Sequence, residues 1–114
     1  MSNPADWDVF DELHEERNKQ DDKWDEQNHP DGTGEKYKLL ADMNKDLCNK
    51  AAAAKKLTYR HILAEEVYEA FAEEDPKRLR EELVQVAAVA VAWIEKIDRD
   101  MEKTNDTGRP NVVS

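Results

Sequence analysis

The stretch of sequence that decides the fold is residues 58–86, which read TYRHILAEEVYEAFAEEDPKRLREELVQV. Thr58 is a favourable helix N-cap, and the apolar residues that follow it recur at the spacing of one helix face. The step from Asp75 to Pro76 then supplies a second N-cap with proline at the first helical position. The stretch therefore predicts two consecutive helices that are separated by one break.

Acidic side chains recur at the same spacing on both of these helices. On the first, Glu65, Glu66 and Glu69 lie within four residues of one another, and on the second Glu82 and Gln85 are three apart. Residues three or four apart share a helix face, so two helices that fold back on each other would bring the carboxylates together. Carboxylates so close repel each other unless a cation lies between them, and oxygen ligands suit Mg²⁺ or Mn²⁺. The pattern predicts a site for a divalent metal ion.

The rest of the chain is predicted to be helical as well. Apolar residues recur at helical spacing over residues 5–24 and again over residues 35–55. Residues 25–34, which separate these two segments, are rich in turn-forming residues and predict a loop. The last helix is expected over residues 76–101. We therefore predict an all-α fold, a bundle of four to five helices.

The last helix also predicts an oligomer. Between Leu83 and Ile97 it is apolar on nearly every side, which is typical of a helix that is buried all round. A chain of 114 residues has only a small core of its own, so we expect a homodimer or homotetramer in which another subunit covers this segment. A single domain is predicted over residues 1–102, followed by a flexible tail over residues 103–114.

Composition narrows the classes of function. The net charge of −10 argues against extended nucleic-acid binding, which requires a basic surface. It does not argue against small phosphorylated ligands, because a bound divalent metal reverses the local charge. The single cysteine, Cys48, cannot form an intramolecular disulfide, and the chain shows neither a signal peptide nor an apolar run long enough to cross a membrane. A cytoplasmic location is expected.

The spacing of the acidic residues resembles that of a known family. Glu66-x-x-Glu69, twelve residues, then Glu82-x-x-Gln85 is similar to the Glu-x-x-Glu, spacer, Glu-x-x-Asp signature of the MazG-like nucleoside triphosphate pyrophosphohydrolases. Residues 23–29, KWDEQNH, resemble the Trp-Asp-x-x-Gln-Thr-His stretch of many MazG domains, with asparagine in place of threonine. The order of the helices agrees over most of the chain. The departure from the signature is Gln85, which stands where the family has aspartate.

The resemblance implies an oligomeric helical bundle that hydrolyses a (deoxy)nucleoside triphosphate to the monophosphate and pyrophosphate with Mg²⁺, or with Mn²⁺. By position, Glu66, Glu69 and Glu82 would be metal ligands, and Glu65 would be a further ligand or a base. The metal would neutralise phosphate oxygens and activate a water molecule for attack on the α-phosphorus. Gln85 could ligate through its amide oxygen, or it could form hydrogen bonds in a core or across an interface.

Several residues outside the acidic clusters are candidates for binding the substrate. Basic side chains would hold the phosphates and an indole would stack on the base, although each residue could equally be an ordinary surface or core residue. These candidates are Lys23, Trp24, Gln27, Lys36, Lys38 and Arg60.

A second interpretation belongs to a different class of function. Because Gln85 lowers the negative charge of the site, the chain could be a catalytically silent helical-bundle protein of the same fold that binds a nucleotide or a protein partner. Four carboxylates remain for metal binding, so the charge still permits catalysis. Both interpretations therefore remain open from the sequence.

Overall fold

The computed structural model describes residues 8–106, and within this range the chain forms helices and no strand. The all-α prediction is therefore confirmed. The elements in chain order are α1 (Val9–Trp24), a short 3-10 helix (Glu35–Tyr37), α2 (Lys38–Ala53), α3 (Tyr59–Ala72) and α4 (Pro76–Asp106). The chain divides into two compact units between Asp31 and Gly32, so α1 forms one unit and the helices α2 to α4 form the other.

Helix α1 begins with a reciprocal cap. Asp8 Oδ1 accepts a hydrogen bond from the backbone N–H of Asp11 at 3.1 Å, and Asp11 Oδ2 accepts one from the N–H of Asp8 at the same distance. These bonds satisfy donors that have no partner within the helix. The helix ends at Trp24, as predicted, and residues 5–7 of the predicted segment lie outside the described residues.

The start of the second helical segment differs from the prediction. A single helix was expected from about residue 35, but a 3-10 turn precedes α2, and the N–H of Tyr37 donates to the carbonyl of Gly34 at 3.0 Å. Gly34 has a φ of 150°, a conformation that residues with a side chain rarely adopt, and its N–H donates to the carbonyl of Phe71 at 2.8 Å. The rings of Tyr37 and Phe71 are also in contact, with their centroids 5.5 Å apart. The hydrogen bond and the ring contact connect the turn to the end of α3.

Helix α3 is the central element of the second unit. It packs against both α2 and α4, and every side chain over residues 61–69 is half-buried. The core of the unit consists of small or medium-sized side chains, namely Ala41, Cys48, Ala70 and Leu79. Ala70 is only 1% exposed, so the backbones of neighbouring elements approach α3 closely at this residue.

Helix α4 begins where the sequence predicts and ends later. The side chain of Asp75 accepts a hydrogen bond from the N–H of Arg78 at 3.0 Å, and the helix starts at Pro76. It continues to Asp106 instead of ending near residue 101, and residues 107–114 of the predicted tail lie outside the described residues. Within residues 8–106, no helix has the length and the apolar character needed to span a bilayer.

The apolar part of α4 is not enclosed by the single chain. Leu83, Val84 and Ile97 are 49%, 51% and 43% exposed, respectively, although the sequence predicted burial on every side. Over residues 32–106 this unit has three α-helices and one 3-10 turn, and α3 covers only one face of α4. The other faces of α4 therefore keep their apolar side chains in contact with water.

Replacing Thr58 with Ala should lower the free energy of unfolding by about 1 kcal/mol. Thr58 Oγ1 accepts a hydrogen bond from the backbone N–H of His61 at 3.2 Å, and alanine would leave this donor without its partner. Urea unfolding followed by circular dichroism measures the loss. The Thr58→Ser variant keeps the hydroxyl and is the matched control. Equal stability of the alanine variant and the wild type would contradict the role of this cap.

Candidate functional site

Three of the predicted metal ligands converge between α3 and α4. One carboxylate oxygen from each of Glu66, Glu69 and Glu82 lies within 4.8 Å of the other two. Glu66 and Glu69 are three residues apart on one face of α3, and the chain reverses at Asp75 so that Glu82 on α4 lies opposite them. The three side chains are half-buried, so they form a partly desolvated group of oxygen donors.

The surroundings of Glu66 and Glu82 favour the protonated forms of their carboxyl groups. The pKa of Glu66 is raised above its ordinary value mainly by desolvation, and further by the charges of Glu69 and Glu65. The pKa of Glu82 is also raised by desolvation, then by the charge of Glu69 and by a hydrogen bond with it. A cation between these carboxylates would remove the repulsion among them. The group is therefore chemically suited to a hard divalent cation such as Mg²⁺ or Mn²⁺.

Glu65 has a different environment from the other three glutamates. The thiol of Cys48 on α2 donates a hydrogen bond to the Glu65 carboxylate, which raises the pKa of Cys48 to about 11 together with burial and the charges of Glu65 and Glu66. Glu65 is thus hydrogen-bonded on the α2 side of α3, next to the group of three carboxylates. It is close enough to Glu66 to raise the pKa of that residue.

A cleft of about 230 Å³ opens beside two of the three carboxylates. It brings acidic and basic side chains together, and its lining comprises Lys38, Ala41, Asp42, Lys45, Glu69, Ala72, Glu73 and Glu82. Lys38 is a predicted substrate-binding residue, and its Nζ pairs with Asp42 Oδ1 at 3.5 Å. Lys45 was not predicted. The sequence signal for it is its position between two small residues of α2, Ala41 and Cys48, at helical spacing.

Other predicted residues of the second unit lie outside this cleft. Gln85 is exposed on α4, three residues after Glu82, and is not among the residues that line the cleft. Its predicted alternative role in the core of the chain is therefore wrong. Arg60 lines a separate cavity at the start of α3, where the rings of Tyr59 and Trp93 stack with their centroids 5.8 Å apart. Lys36 Nζ lies 5.4 Å from the ring centroid of Tyr37.

The remaining predicted residues belong to the first unit. Lys23 Nζ lies 4.8 Å from the ring centroid of Trp24, which is 58% exposed and not part of a core. Gln27 Oε1 accepts a hydrogen bond from His29 Nε2 at 3.1 Å. Gln27 and Arg17 also line a cavity of about 530 Å³ within this unit. Lys23, Trp24 and Gln27 therefore lie near one another at the end of α1.

Comparison with known proteins does not assign the chain to a family. Neither a protein-family model nor a curated protein nor a solved structure matches it. Among the described residues, Glu66, Glu69 and Glu82 form the group of side chains with the clearest chemistry, because they are close together and half-buried.

Replacing Glu82 with Gln should stabilise the metal-free protein at about pH 7 and should not do so at about pH 4. The pKa of Glu82 in the folded protein is raised above 4.5, so the wild type loses free energy of unfolding as the pH rises through that raised pKa. Below the ordinary pKa the carboxyl group is neutral in both the folded and the unfolded state. The Glu82→Gln variant has an uncharged amide at this position, so its free energy of unfolding does not fall as the Glu82 carboxyl group of the wild type ionises.

Urea unfolding in EDTA at several pH values measures the difference between the two proteins. Glu95→Gln is the matched control, because Glu95 is an exposed glutamate on the same helix outside the cleft. A difference between Glu82→Gln and the wild type that stays constant with pH would refute the electrostatic account.

Proposed function

We propose that the chain is a MazG-like hydrolase that converts a (deoxy)nucleoside triphosphate to the monophosphate and pyrophosphate with Mg²⁺ or Mn²⁺. The observation that carries the proposal is the convergence of Glu66, Glu69 and Glu82, whose carboxylate oxygens lie within 4.8 Å of one another. The adjoining cleft is lined by two lysines as well as by Glu69 and Glu82, so it offers groups for a metal and for phosphate together.

The residues of the site would divide the chemistry among them. When bound, a divalent ion would neutralise phosphate oxygens and lower the pKa of a water molecule. Glu66, Glu69 and Glu82 would hold the ion, and Lys38 would face the phosphates from α2. Glu65 would accept the proton of the attacking water or serve as a further ligand, with Cys48 fixing its orientation through the thiol hydrogen bond.

The exposed position of Gln85 supports a site that works with four carboxylates. Gln85 follows Glu82 by one helical turn, yet it lies outside the cleft lining. Glu65, Glu66, Glu69 and Glu82 would then supply the negative charge for metal binding. The alternative is a catalytically silent bundle that binds a nucleotide or a protein partner. The observation that favours it is that residue 85 is a glutamine and therefore supplies no carboxylate.

Apolar residues on the outside of the second unit support a homodimer or homotetramer. Leu39 and Leu47 on α2 are 70% and 55% exposed, and Leu83 and Val84 on α4 are each about half exposed. Large apolar side chains exposed in such numbers are typical of protein interfaces. We place the oligomer in the cytoplasm, where its single cysteine would stay reduced.

The purified protein should release pyrophosphate from at least one of the common ribo- or deoxyribonucleoside triphosphates in the presence of Mg²⁺ or Mn²⁺. Glu69→Ala should lower kcat/KM by at least about a hundredfold. The substitution removes a proposed metal ligand that lies close to both Glu66 and Glu82. Glu95→Ala is the control and should retain activity. Absence of pyrophosphate from every nucleotide with either metal would refute the proposal.

Metal binding can be measured separately from turnover. Mg²⁺ at a hundredfold excess over its Kd should stabilise the wild type by about 2.7 kcal/mol, because it binds only the folded state. Thermal unfolding with and without Mg²⁺ measures this effect. Glu69→Ala should show much less stabilisation, while its far-ultraviolet circular dichroism should match that of the wild type.

Replacing Gln85 with Asp distinguishes the hydrolase from the silent bundle. Because Gln85 is exposed and outside the cleft, we expect an active wild type whose kcat/KM changes by less than about tenfold in the variant. A large gain from an inactive wild type would instead favour the silent bundle. A large loss from an active wild type would show that the glutamine is itself a working residue.

A further inference from the structure

Lys45 on α2 lines the cleft and lies close to the face of α2 that packs toward α3. Ala41, four residues before it, and Cys48, three residues after it, are 6% and 9% exposed, and residues at this spacing share one face of a helix. Lys45 itself is exposed, and its side chain lines the cleft that Glu69 and Glu82 also line.

The charge of Lys45 is not neutralised within the described part of the chain. Two other lysines of α2 have partners, because Lys38 pairs with Asp42 at 3.5 Å and Lys50 pairs with Asp46 at 2.9 Å. Within residues 8–106, Lys45 has neither a hydrogen bond nor an ion pair. Its ammonium donors are thus available to a ligand in the cleft.

We propose that Lys45 is a substrate-binding residue that binds the phosphate chain of a metal-chelated polyphosphate substrate. The proposal rests on the proposed function, since the metal site is its premise. Lys38 and Lys45 face four carboxylates in the cleft, so the cleft without a metal is negative and repels phosphate. A divalent ion held by Glu69 and Glu82 cancels this excess, and Lys45 then binds the anion on the opposite wall.

The size and lining of the cleft indicate which part of the substrate it binds. Its volume of about 230 Å³ is smaller than the roughly 300–1,000 Å³ of sites that enclose a whole small molecule. Its lining contains no aromatic side chain on which a base could stack. The cleft therefore fits a phosphate chain and leaves the nucleoside outside it. An inorganic polyphosphate should then bind with an affinity similar to that of the phosphate chain of a nucleotide.

Titration calorimetry with two probes tests this role. The probes are Mg²⁺ alone and inorganic pyrophosphate in the presence of excess Mg²⁺. Lys45→Ala should weaken pyrophosphate binding by about tenfold, because a charge-assisted hydrogen bond is lost. The same variant should bind Mg²⁺ alone as tightly as the wild type or more tightly, since a nearby positive charge has been removed. Lys45→Arg should restore most of the pyrophosphate affinity.

Lys50→Ala is the matched control, because Lys50 is on the same helix but outside the cleft, and it should bind both probes as the wild type does. Pyrophosphate affinity that is unchanged in Lys45→Ala, or equally weakened in Lys50→Ala, would overturn the role of Lys45 and leave the proposed function intact. A Lys45→Ala variant that also loses Mg²⁺ affinity would show a structural role and overturn it too. A wild type that binds neither probe would refute the proposed function and this inference together.

Discussion

The packing of α3 between α2 and α4 is the constraint on which the rest of the second unit depends. A helix with neighbours on two sides has little surface left on which to expose charged side chains. Glu66 and Glu69 are therefore half-buried, and the reversal of the chain before α4 brings Glu82 to them. Partial burial of three like charges is unfavourable unless protons or a cation compensate for it. The fold thus holds three carboxylates close together, and a bound metal ion would relieve the repulsion between them.

The glutamates on the two sides of α3 have different neighbours. Toward α4, desolvation and then the charge of Glu69 raise the pKa of Glu82. Toward α2, Glu65 accepts a hydrogen bond from the neutral thiol of Cys48, and the cleft places Lys38 and Lys45 opposite the acidic groups. Carboxylates and lysine ammonium groups consequently line one narrow cleft. That arrangement suits a substrate in which a metal and a phosphate chain are bound to each other.

The features that the sequence predicts well are those set by local interactions. The starts of α3 and α4 follow from Thr58 and Asp75, because a cap involves only the next few residues. Likewise, the spacing of the glutamates on α3 follows from the period of a helix. The presence of Lys45 in the cleft and the separate location of Arg60 depend on how helices pack, which local spacing does not determine. The same holds for α4, whose apolar composition predicts burial but not what would bury it.

The interaction of Cys48 with Glu65 affects the reactivity of the single thiol in the chain. Alkylating agents and peroxides react with thiolates, and a thiol whose pKa is about 11 is almost entirely protonated near neutral pH. Cys48 is therefore expected to react more slowly than an ordinary thiol while α2 stays packed on α3. If the two helices separated, the thiol would regain its ordinary acidity, so its modification would report how often this interface opens.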